Sequence, residues 1–227
     1  MPSKKRTTTK RQQNKKQKHR LFWPLLLVVF ILWVLYRALS SFSVFFDELV
    51  GKSIFFALPV LIYLSISGFS ATMDTFSYKK LKKGLLLGLI IGGILGFALL
   101  ITKAFINPGP IQAQAFYLAD DFWWELFLAT LTGFFESLFF FSFVMLVIED
   151  RYKKWPLVAQ IILVALIFLI FHLPNLFLRF SLETAYVHAI LLFAFAIGQA
   201  LIFYVQRNAY TLLMTQAIWG MILLVHF

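Results

Sequence analysis

The stretch WPLVAQIILVALIFLIFHLPNLFL, residues 155–178, decides the fold. It runs for 24 residues without Asp, Glu, Lys or Arg. As a helix rising 1.5 Å per residue it reaches across the roughly 30 Å of a bilayer's hydrocarbon core. Working outward, six more segments of similar character appear at 21–39, 54–70, 84–102, 122–148, 185–204 and 209–227. The chain therefore reads as an all-α polytopic membrane bundle of about seven transmembrane helices. Composition agrees: 61% of the 227 residues are hydrophobic and 14% charged, against about 45–50% and 25% in an ordinary soluble domain. With no cysteine, a disulfide scaffold and a thiolate zinc site are excluded.

The net charge of +11 is unevenly spread. Nine of the 21 Lys and Arg fall in the first 20 residues, MPSKKRTTTKRQQNKKQKHR. That stretch has too little apolar content to bury a core and reads as a disordered basic arm, with 21–227 as the membrane domain. Residues 71–83 carry four more, 149–154 three, and Arg207 one, which puts 17 on one side of the membrane. Arg37, Lys52, Lys103 and Arg179 are left for the other. The positive-inside rule then predicts a cytoplasmic N-terminus in the plasma membrane. A cleaved signal peptide, with Ala38 and Ser40 as its small residues, fits poorly with a bulky apolar stretch ending at Tyr36 and Arg37. The arm reads first as a topology determinant that needs no partner, with electrostatic binding of anionic lipid as the alternative; no nucleic-acid partner is expected.

Gly84, Gly88, Gly92 and Gly96 recur at intervals of four and line one face of the third span. Such a face lets another backbone approach closely. Packing inside the bundle is the expected use, and a homo-oligomer stays open. Residues 105–121, FINPGPIQAQAFYLADD, read as a non-spanning outer stretch, followed by Trp123 and Trp124 as interfacial anchors.

Polar residues in the hydrocarbon region are functional candidates by default. Glu136 lies within the fourth span, His172 in the fifth, followed by Leu173, Pro174 and Asn175, and Gln216 in the seventh. A carboxylate and an imidazole sharing one water can direct it at a carbonyl, while the Asn175 or Gln216 amide donates to the developing oxyanion. Each also has a structural reading: a protonated Glu bonded to a neighbouring helix, a satisfied proline kink, interhelical glue. Too few ligands accompany them for a metal, and no cofactor is expected. His188, His226 and the acidic set Asp120, Asp121 and Glu125 read as interfacial. Counted along straight helices, Gln216, Glu136 and His172 stand about 10, 18 and 25 Å from the inner boundary, a spread that helix tilt and span boundaries absorb only in part.

The run FLIFHLPN, 168–175, resembles the second motif of the CAAX-protease and bacteriocin-processing (Abi) family of intramembrane endopeptidases. FFESLFFFS, 134–142, stands where that family carries Glu-Glu-x-x-x-Arg, and 193–220 is similar to its last conserved region. The likeness covers roughly residues 120–227. It implies peptide-bond hydrolysis near the membrane, with Glu136 and His172 activating water on a membrane-embedded or membrane-proximal peptide. Ser137 and Phe141 replace the second Glu and the Arg, and Gln216 and Gly220 replace the His and Asn that stabilise the oxyanion. Two functions are thus expected: a divergent endopeptidase, or a pseudoprotease that binds or protects a membrane partner. A transporter is disfavoured by the lack of internal duplication.

Overall fold

The computed structural model describes residues 19–40, 42–106 and 121–226. Among these residues the chain is helical, with no strand. We number the helices α1 (Phe22–Leu39), α2 (Val44–Ser67), α3 (Ala71–Asp74), α4 (Tyr78–Ile106), α5 (Phe122–Arg151), α6 (Leu157–Arg179), α7 (Leu182–Gln206) and α8 (Ala209–His226). Six of them, α1, α2 and α4 to α7, include stretches long and apolar enough to cross a membrane. The segment 209–227, expected as a further span, is helical over Ala209–His226. The outer stretch expected at 105–121 lies mostly outside the described residues.

Local chemistry sets the boundaries. Gly68 ends α2 in the left-handed region at φ 64°, where a residue without Cβ is unstrained. Pro156 occupies the position before α6, where its missing N–H is no loss. The Ser181 hydroxyl accepts from the Thr184 amide and caps α7. Pro174 lies inside α6 and removes one helical hydrogen bond. One residue along from the carbonyl it frees, the Phe171 carbonyl accepts from the Trp33 indole at 3.0 Å, tying this part of α6 to α1.

The largest departure from expectation is α2. It begins at Val44 rather than near 54, so the charges of DELVGK, 47–52, lie inside a continuous helix. Two π-helical stretches, Asp47–Gly51 and Ser53–Ala57, flank Lys52. Helix α5 has another over Ser137–Met145, immediately after Glu136. Such segments recur at functional sites because they re-aim side chains that a regular helix would point elsewhere.

Helix α5 is the centre of the bundle. Its apolar window is 78% buried, against 22–39% in the other five candidate spans. Phe139, Phe140, Phe141 and Phe143 are fully buried and pack with Phe56, Phe168 and Phe171 from α2 and α6. The outer faces carry exposed Leu, Ile, Val and Phe, as expected of surfaces that meet lipid.

The glycine face packs internally. A Cβ at Gly88 would stand 2.5 Å from the Thr211 carbonyl oxygen, and one at Gly92 2.7 Å from the Ile218 side chain. From the other side, a Cβ at Gly133 would meet the Leu213 carbonyl at 2.7 Å. Helix α8 is therefore clasped between α4 and α5 at near-backbone distance.

One end of the bundle gathers the basic segments. His19 bonds Tyr63 at 2.8 Å and Asp150 at 2.6 Å, and Arg151 donates to the His19 carbonyl at 2.6 Å. Arg207 pairs with Glu149 at 2.5 Å, and Lys80 donates to the Arg207 carbonyl at 2.7 Å. Residues that the charge count assigned to one side of the membrane thus touch one another.

Candidate functional site

Glu136 leaves the central helix where its regular winding gives way to the π stretch, and only 7% of the residue is exposed. Facing it from α2, Lys52 is equally buried at 7%. The Lys52 ammonium lies 3.1 Å from Glu136 Oε1 and 2.7 Å from Glu48 Oε2. The second pair spans four residues of one helix, the spacing that places both groups on the same face. Thr132, one turn before Glu136, donates its hydroxyl to Glu48 Oε2 and closes the link between α2 and α5.

His172 completes the group from α6. Its Nε2 lies 3.5 Å from Glu136 Oε1, the same oxygen that Lys52 approaches. Its Nδ1 is 2.8 Å from the Phe168 carbonyl. A carbonyl can only accept, so Nδ1 carries a proton, and in the neutral ring Nε2 presents its lone pair to the carboxylate side. The ring stacks on Phe168 at 4.1 Å, which holds its plane.

These groups line a cavity of about 90 Å³, room for several waters. Asn175 lines it one turn after His172, and its buried Oδ1 has no hydrogen-bond partner among the described residues. Arg37 and Asp47 close one side, paired at 2.7 Å, with Tyr36 donating to Asp47 at 2.5 Å. Trp33, Phe56 and Phe171 supply an apolar wall. The cavity thus holds three carboxylates, Asp47, Glu48 and Glu136, against the two permanent cations Arg37 and Lys52. With His172 neutral, one negative charge is uncompensated.

Among the expected site residues, Glu136, His172 and Asn175 share this cavity, although straight-helix counting set Glu136 and His172 about 7 Å apart in depth. Gln216 is elsewhere: it does not line the cavity, and its Oε1 accepts from the Ser137 hydroxyl at 2.8 Å. Two positions where the chain departs from the motifs thus bond each other. Phe141, at the motif Arg position, is fully buried against Phe168. Gly220 faces α5, where a Cβ would lie 3.8 Å from Ala129 Cβ. His188 is half-buried, stacks on Phe180 and bonds the Thr184 carbonyl at 2.8 Å, and it does not line the cavity. Of the other interfacial residues, the side chain of His226 and all of Asp120 lie outside the described set.

Arg37, Asp47, Glu48 and Lys52 were missed in the sequence, where Arg37 and Lys52 read as outer connecting-segment charges. The available signal was the Glu48–Lys52 spacing of four within a run apolar on both sides. Among the described residues no group of three or more His, Cys, Asp or Glu is arranged to hold a metal ion. No family model, curated protein or solved structure matches the chain.

Proposed function

We propose that the chain is a divergent intramembrane endopeptidase of the CAAX-protease/Abi type, hydrolysing a peptide bond with water held between Glu136 and His172. One observation carries the reading: the carboxylate and the imidazole, from separate helices, meet at 3.5 Å at a cavity wide enough for solvent. His172, with Nδ1–H anchored on Phe168, takes the water proton at Nε2. Glu136 orients the water and stabilises the imidazolium that forms. The substrate is a membrane-embedded or membrane-proximal peptide, cleaved in the cell membrane. We further propose seven spans, with α8 as the last, and a cytoplasmic N-terminus. The mutual contacts among the basic segments at one end of the bundle support that orientation.

The decisive test is cleavage of a membrane-peptide library by the purified protein in liposomes. Glu136→Gln and His172→Ala are each expected to lower turnover by at least about 10²-fold, the usual contribution of a positioned acid–base group. Cleavage undiminished by either change refutes the assignment.

A second reading is favoured by the Lys52 contact. A carboxylate already held by an ammonium at 3.1 Å is engaged in an ion pair between α2 and α5, as suits a pseudoprotease that keeps the fold to bind a membrane partner. On that reading the wild type cleaves nothing, and a cellular phenotype survives Glu136→Gln but is lost when the α4 glycine face is disrupted.

A further inference from the structure

We infer that Lys52 is a catalytic residue, the electrophile that stabilises the oxyanion formed during hydrolysis; this rests on the endopeptidase reading. The residues that the resemblance implies for that task are replaced by Gln216 and Gly220, and neither lines the cavity. Lys52 does line it, with 7% of its surface exposed. An ammonium carries three N–H donors. Glu48 and Glu136 engage two, and no third partner is present among the described residues. Lys52 Nζ and His172 Nε2 both approach Glu136 Oε1, so electrophile and base stand within reach of a single carbonyl group.

In the reaction, His172 Nε2 takes one proton from water while the water oxygen bonds to the carbonyl carbon. The carbonyl π pair moves onto oxygen, and the alkoxide is held by the free Lys52 N–H, with Asn175 beside it. Collapse restores the carbonyl and breaks the C–N bond, the electron pair leaving on nitrogen. Nitrogen takes the proton back from His172, giving a carboxylic acid and an amine. Lys52 stays protonated throughout. A fixed cation in a water-poor site acts on developing negative charge much more strongly than on a neutral carbonyl. Loss of Lys52 should therefore appear in turnover more than in substrate binding.

The test uses full-length protein in liposomes and a peptide that the wild type cleaves. Lys52→Met is expected to lower kcat by about 10²–10³-fold with KM little changed. Lys52→Arg, which keeps a cation, is expected to recover much of the loss. Lys52→Met paired with Glu48→Gln offsets the lost cation and guards against misfolding, which thermal melting reports. A folded Lys52→Met variant with kcat near wild type, or one altered only in KM, overturns the assignment. A wild-type measurement covers the case in which no variant folds. The wild type is expected to bind a phosphonate analogue of the cleaved peptide at least about tenfold more tightly than the neutral ketone analogue, since only the former carries the oxyanion's charge. Equal affinities overturn the assignment. If the wild type cleaves no peptide at all, the endopeptidase reading fails first and takes this role with it.

Discussion

Removing Lys52 and removing its partner Glu136 should affect stability very unequally. Lys52 is buried and bridges two carboxylates, at 2.7 and 3.1 Å. Lys52→Met strands both and leaves three carboxylates against Arg37 alone. Breaking a buried pair by deleting one member costs about 3–5 kcal/mol, because the surviving charge is left desolvated. Glu136→Gln acts on the same contact from the other side. Lys52 keeps Glu48, the amide oxygen can still accept from the ammonium, and the cavity falls to two carboxylates against two cations. The expected loss is about 1 kcal/mol or less, since a charge-assisted hydrogen bond becomes an ordinary one while the surplus negative charge disappears. Unfolding by SDS from detergent micelles, followed by the fluorescence of the six tryptophans, measures both variants on one scale. A loss from Glu136→Gln equal to or larger than that from Lys52→Met would refute the reasoning: it would mean that His172 carries a charge and that the cavity is balanced in the wild type.

Gly88→Ala should destabilise by about 1–3 kcal/mol, because the new methyl meets the Thr211 backbone carbonyl at 2.5 Å, while Gly93→Ala, with nothing within 4 Å, should be neutral or stabilising in the same assay. Trp33→Phe removes the indole N–H that bonds Phe171 O and should cost about 1 kcal/mol; a loss below experimental error would show that the bond does not fasten α1 to α6. The chain lacks cysteine, so single cysteines at Lys153 and Ser181 report topology directly. Impermeant maleimide on intact cells should label the Ser181 position and leave Lys153 unlabelled, and the opposite pattern would invert the proposed orientation.

Six of the spans were legible because lipid imposes one requirement, about twenty mostly apolar residues, and each of the six carries such a stretch by itself. What a single segment shows least well is charge whose partner is elsewhere. Asp47, Glu48 and Lys52 look like the end of a connecting segment when α2 is read alone, yet Arg37, Thr132 and Glu136 make their burial tolerable. Relative depth was ambiguous for a related reason. Counting 1.5 Å per residue along parallel rods separates Glu136 from His172, whereas the π stretch after Glu136 departs from uniform winding and Pro174, two residues after His172, removes a helical hydrogen bond. Gln216, put forward as a polar support for the oxyanion, is buried, but which side of α5 it would meet depends on helix rotation, and periodicity in so uniformly apolar a segment does not report that.

The way charges are shared among the first helices bears on how the protein enters the bilayer. Arg37 and Asp47 join α1 to α2, and Glu48 and Lys52 neutralise each other within α2. The leading hairpin can therefore leave the translocon with its own electrostatics already settled. Glu136 comes later in the chain, on the central helix, and joins Lys52 as its second carboxylate. Biogenesis would then proceed as a docking of the fifth helix onto a prepared cradle, and a nascent chain halted before that helix should already be a stable, if inactive, resident of the lipid.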